Sequence, residues 1–140
     1  MNHPHKILIL ALLLVATLAT TPCTALKVEG AKIMLDVKPG ITYIVPMAVS
    51  IKADDKASEY AIDILGFGQT LDAGSYQGLQ PGEDTGPYSA RSFISFPSAT
   101  IRLQPGERKE FNATIKVPAN VGDGGRYAVV LIHPAASAGT

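Results

Sequence analysis

A chain of 140 residues has room for one domain beyond any targeting segment, and twelve basic side chains balance twelve acidic ones. That balance excludes an electrostatic footprint for nucleic acid or for an anionic membrane surface. One cysteine and three histidines leave little for thiol or zinc chemistry.

The polar start Met1 to Lys6 is followed by an uncharged apolar run, Ile7 to Ala19, too short to span a bilayer comfortably. Pro22 then breaks any helix, and Cys23 and Ala25 are small residues at the minus-three and minus-one positions that a signal peptidase reads. Residues 1–25 are therefore predicted to be a signal peptide, with no membrane span once they are removed. A lipidated Cys23 fits less well, because Thr20 and Pro22 stand where a lipoprotein signal carries an apolar and a small residue. Cleavage removes Cys23, two histidines and Lys6, leaving eleven basic side chains against twelve acidic ones and no thiol. The exported domain, residues 26–140, must then be held by packing rather than by a disulfide.

From Leu26 onward apolar residues recur at every second position, and no long window carries the three-and-four spacing of an amphipathic helix. Ile33, Leu35 and Val37 predict a short first strand that ends at Pro39-Gly40. Ile41, Tyr43, Val45, Met47, Val49 and Ile51 predict the longest strand, closed by a turn at Asp54-Asp55-Lys56. Tyr60, Ile62 and Ile64 predict a third, with Gly66 and Gly68 around Phe67 marking a bulge or a close backbone approach. Residues 71–90, rich in Gly, Ser, Tyr, Gln and Pro, show no period and read as a long loop. Arg91 to Phe96 and Ala99 to Leu103 are two further short strands, and Pro105-Gly106 repeats the earlier corner. Phe111, Ala113, Ile115 and Val117 alternate with polar residues, whereas Tyr127 to Ile132 is apolar throughout apart from the tyrosine hydroxyl. The latter pattern predicts a strand in mid-sheet.

Asp123-Gly124-Gly125-Arg126-Tyr127 resembles the corner before strand F of immunoglobulin-like domains, giving Asp123, Gly125 and Tyr127 a structural role; Val129 stands where antibody domains carry a cysteine. Lys38-Pro39-Gly40, Leu103-Gln104-Pro105-Gly106-Glu107, Ile115-Lys116-Val117-Pro118 and Gly124-Gly125-Arg126-Tyr127-Ala128 together resemble the N-terminal β-sandwich of WxL-interacting, peptidoglycan-binding-type surface proteins. The resemblance implies an all-β, immunoglobulin-like antiparallel β-sandwich on the extracellular face of a cell envelope. In that family another strand follows strand F, but after Ile132 the sequence holds only His133 to Thr140. Two readings stay open: the chain belongs to a longer protein, or another chain donates the last strand.

No catalytic set emerges. His133 is the single histidine after the leader and precedes Pro134 near the end, the position of a solvent-exposed terminal residue. Asp54-Asp55, Glu83-Asp84 and Asp123 read as solvated turns rather than as a calcium site, since the alternation of an EF-hand loop is missing. No metal or cofactor is expected, and a small hydrolase using paired carboxylates is the weakest reading. Tyr76, Gln77, Gln80 and Tyr88 are the candidate ligand-binding residues, a mixture suited to stacking on sugars or to touching a protein surface. Asn112-Ala113-Thr114 is a glycosylation sequon, with Asn112 and Thr114 on the strand face opposite Phe111 and Ile115. The expectation is a secreted or cell-surface, non-enzymatic binding or adhesion module for protein or cell-wall glycan. The alternative is a structural subunit of an extracellular assembly, completed by a strand-donating partner.

Overall fold

The alternation of apolar and polar residues becomes eight strands in the computed structural model, which describes residues 25–69 and 75–135. The expected leader, except for Ala25, lies outside the described residues. The strands are β1 (Lys27–Glu29), β2 (Thr42–Ser50), β3 (Ser58–Gln69), β4 (Tyr76–Leu79), β5 (Ile94–Ser95), β6 (Thr100–Leu103), β7 (Arg108–Lys116) and β8 (Val129–Pro134). One antiparallel sheet has the order β1-β2-β7-β5; in the other, β3 pairs with β4, β6 and β8. With the strands lettered in the immunoglobulin manner these are A-B-E-D against C and F, an all-β, immunoglobulin-like sandwich.

Inward-facing residues of the two sheets meet. Val49 and Ile51 from the first sheet pack with Tyr60, Ile62, Ile101 and Leu103 from the second, joined by Val28, Phe96, Phe111, Val130 and Ile132. Val45, Met47 and Ala113 extend this interior under Phe96 and Phe111, whose rings lie 5.8 Å apart. Among the described residues no polar or charged residue is buried as a whole, and the Tyr60 hydroxyl is enclosed without a hydrogen-bond partner.

Both Pro-Gly corners form as expected. Gly40 and Gly106 adopt φ of 77° and 73°, and the N–H groups of Ile41 and Glu107 donate to the carbonyls of Lys38 and Gln104. Pro46 sits inside β2 because of register. Val117 N–H donates to Ile41 and Ile51 N–H to Glu107, so odd-numbered β2 residues bond β7 and even-numbered ones face the other edge. There β1 covers only residues 48 to 50, and the N–H that Pro46 lacks has no strand opposite it.

Three expectations change. Ile33 to Val37 is not a strand: Gly30, at φ 87°, turns the chain away after β1, and Ile33, Leu35 and Val37 remain 42%, 44% and 43% exposed. Arg91–Phe93 is a short 3-10 turn rather than strand, which leaves β5 two residues long. β8 is not in mid-sheet, since among the described residues it pairs with β3 alone. Its unbroken apolar character has another origin: Val130 and Ile132 face the interior, while Leu131 stays 43% exposed on the outer face.

Leu103 is completely buried, so Leu103→Ala removes packed volume and is expected to lower unfolding free energy by about 3 kcal/mol. Tyr60→Phe deletes an unsatisfied buried hydroxyl and is expected to raise it by about 1 kcal/mol. Urea unfolding of the two variants, followed by circular dichroism, measures both.

Candidate functional site

A twelve-residue strand such as β3 outruns the sheet it starts in. Its first half pairs with β6 and β8, and its last four residues, Gly66 to Gln69, pair with β4. Residues 71–90 are therefore not wholly loop, because β4 turns back along β3. Glycines make this return compact. A Cβ on Gly66 would sit 2.2 Å from the Asp84 carboxyl carbon, and one on Gly68 or Gly78 would run into Leu79 or Leu65 at 2.8 or 2.7 Å. What approaches closely at Gly66 and Gly68 is the side chains of Asp84 and Leu79 rather than a neighbouring backbone.

Between those glycines Phe67 points outward. Its ring stacks on Tyr76 at a centroid distance of 5.1 Å and an interplanar angle of 27°, and lies 5.8 Å from Tyr127. All three are exposed, Tyr76 by 71%, Tyr127 by 54% and Phe67 by 39%. Phe67, in contact with Tyr76 on one side and Tyr127 on the other, forms with them a solvent-open apolar platform suited to the faces of sugars or to apolar protein side chains.

The platform is fixed from behind. The Asp84 side chain, only 5% exposed, accepts hydrogen bonds from the Ser89 hydroxyl and from Arg91 Nε, the latter at 3.4 Å. The Ser89 hydroxyl also accepts the Arg91 backbone N–H at 3.2 Å. These bonds hold the chain between β4 and the 3-10 turn against β3. The Ser89 segment also bridges to Tyr127: Tyr127 N–H donates to the Tyr88 carbonyl and Ala90 N–H to the Tyr127 carbonyl, both at 2.8 Å. Asp84 is consequently not a solvated turn residue, the role its sequence context implies.

Of the four candidate ligand-binding residues, Tyr76 lies in the platform. Tyr88 is 63% exposed and is joined to it through the backbone of Tyr127. Gln77 follows Tyr76 along β4 and so stands on the opposite face. Gln80 belongs to a turn in which its carbonyl accepts the Glu83 and Asp84 N–H groups and its N–H donates to the Glu83 carboxylate. The four do not form one set. Phe67 and Tyr127, which do complete the surface, read in sequence as a bulge and a corner. The Gly-Phe-Gly triplet was the available signal, since glycines leave their neighbouring aromatic uncovered.

The corner itself is closed by Arg126, whose guanidinium donates to the carbonyls of Gly122 and Gly125. A Cβ on Gly125 would meet the Tyr127 hydroxyl at 2.6 Å, so a side chain at that position displaces the ring; Asp123 is exposed.

His133 is not a free terminal residue. It lies in β8, where Nε2 is 2.8 Å from the Asp63 carboxylate and Nδ1 3.0 Å from the Pro134 carbonyl. The Asp63 hydrogen bond, with that carbonyl next, raises its pKa above the ordinary histidine value. Of the other acidic residues, Asp55 accepts the Lys52 N–H in its turn. Among the described residues no group of three or more His, Cys, Asp and Glu side chains is placed to hold a metal ion.

No family model matches the chain, and none of the curated proteins matches it significantly. Among solved structures the chain is similar to the ASH/PapD-like domain of human CEP192 (PapD-like domain 7), with 15% identity, a TM-score of 0.48, and 82% of this chain and 76% of that one covered.

Asp84→Ala is expected to release the Ser89 and Arg91 side chains and to cost about 1–3 kcal/mol, with proteolysis accelerated selectively between residues 79 and 91. Limited proteolysis with mass mapping reads this directly. Because the His133 pKa is raised on folding, its contribution to stability is fully present below the unfolded value of about 6.5 and is lost as pH rises through the folded one. Melting temperatures across that window are expected to fall with rising pH for the wild type relative to His133→Gln, and NMR titration of the imidazole gives the folded pKa.

Proposed function

We propose that this chain is an exported, non-catalytic binding module that engages a protein or a cell-wall glycan through the Phe67, Tyr76 and Tyr127 face. The observation that carries this reading is the exposure of three neighbouring aromatic rings, Phe67 stacked on Tyr76 across β3 and β4 and tilted against Tyr127 beside them, an arrangement that leaves apolar surface in water. The apolar leader and the thiol-free domain support export. The resemblance of the turn and corner motifs to those of WxL-interacting surface proteins supports the envelope as its place of work. A single histidine after the leader, already held by Asp63, supports a role without catalysis.

A second reading, a subunit completed by a donated strand, draws on the edge of β8. Ala135 N–H donates to the Glu59 carbonyl at 2.8 Å, and stepping by two along the register assigns residues 133, 131 and 129 to bonds with β3. The main-chain groups of Val130 and Ile132 therefore point away from β3, toward an edge with no strand on it among the described residues. Such an edge accepts an extended peptide.

One experiment separates the two. Immobilised domain is titrated with soluble cell-wall glycan fragments and, in parallel, with detergent-extracted envelope proteins. Tyr76→Ala and Phe67→Ser are expected to weaken retention about tenfold or more with an unchanged melting temperature. Retention that survives both substitutions but is lost in Leu131→Lys, which blunts the β8 edge, transfers the function to that edge.

A further inference from the structure

The outer face of the first sheet carries a feature that the aromatic platform does not use. β7 is paired with β2 along its whole length, but β5 accompanies it only at Thr114 and Ile115. After Ser95 the chain leaves the sheet through Phe96 and Pro97 to begin β6 on the other side of the sandwich. Even-numbered β7 residues face the β5 side, so the main chain of Asn112 looks toward the space that β5 vacates. A shallow trough of about 420 Å³ results, lined by Ile44, Ser95, Phe96, Pro97, Asn112 and Thr114.

Two of the lining residues, Asn112 and Thr114, are the acceptor and hydroxyl positions of the Asn-Ala-Thr sequon. They share one strand face because they are two residues apart, while Ala113 between them is buried. Asn112 is exposed and stands opposite Pro46, and its neighbour across the trough, Ile44, is 58% exposed. The first sheet thus presents the Asn112 carboxamide in an open trough whose apolar lining comes from Ile44, Phe96 and Pro97.

We propose that Asn112 is the acceptor of an N-linked glycan and that the first sugar lies in this trough, its apolar ring face against Ile44, Phe96 and Pro97. The inference rests on the export reading, because oligosaccharide transfer takes place on the exported side of a membrane. In the transfer, Asn112 Nδ2 attacks the anomeric carbon of a lipid-phosphate- or lipid-pyrophosphate-linked oligosaccharide. The carbon–nitrogen bond forms as the bond from that carbon to the phosphate oxygen breaks. The lipid phosphate leaves with the electron pair, and the amide proton passes to a base of the transferase. Thr114 positions the carboxamide for that attack, and extended strand geometry directs the product outward, clear of the interior.

The test is expression of the full chain in a secretory host that carries an oligosaccharyltransferase, with N-terminal sequencing and intact and peptide mass spectrometry. A leader-free product with a glycan mass on the peptide containing Asn112 is expected, lost in Asn112→Gln and in Thr114→Val and retained in Thr114→Ser. A leader-free product with bare Asn112 overturns the glycan and leaves the export reading standing; a product that keeps its leader overturns both. For the seat of the sugar, the glycosylated chain is expected to melt about 3 °C above Asn112→Gln, and the gap is expected to close in an Ile44→Thr background. Equal melting temperatures for glycosylated and unglycosylated chains overturn the seat.

Discussion

The interior that the two sheets share governs everything else in this fold. Val49 from one sheet and Leu103 from the other are the most completely buried side chains, and Tyr60, Ile62 and Ile101 close around them. Side chains alternate across a strand, so a slip of one residue in any pairing turns this apolar set to solvent and brings Lys, Glu or Arg inside. The interior therefore dictates register, and register in turn decides which groups lie on the outer faces and open edges.

One consequence is that the outward-facing features are supported from within rather than placed independently. Phe67 lies on the outside because β3 changes from pairing with β8 to pairing with β4 at Gly66, and the glycines there let Asp84 and Leu79 press against the strand. The platform gains rigidity from the Asp84, Ser89 and Arg91 hydrogen bonds, a polar cluster beneath an apolar surface. A rigid aromatic surface loses little conformational entropy on contact, which suits a binding role.

Prolines mark the open parts of the sheets. The missing N–H of Pro46 faces the edge of β2 that β1 does not reach, and that of Pro134 faces the edge of β8 that has no strand on it among the described residues. Neither removes a ladder hydrogen bond, so each is tolerated within a strand, and each denies one donor to an approaching chain. On the other side of the first sheet, the early departure of β5 leaves the trough beside Asn112. Platform, edge and trough are three separate surfaces of one sandwich, and each follows from where a strand begins or stops pairing.

The sequence by itself determined the fold class, most of the strands and both Pro-Gly corners, because period-two burial and the φ preferences of proline and glycine act over a few neighbouring residues. It also placed Asn112 on the outer face and singled out Tyr76. Only the tertiary structure decided that Ile33 to Val37 stays out of the sheets, that β8 has one partner among the described residues, and that Tyr76 joins Phe67 and Tyr127 rather than Gln77 and Gln80. These outcomes depend on which strands meet across tens of residues, and a local pattern is the same whether or not a distant strand arrives to cover it. Asp84 is the plainest instance: beside Glu83 it reads as a solvated turn, and only the glycine at position 66 opens the space in which it is buried and bonded.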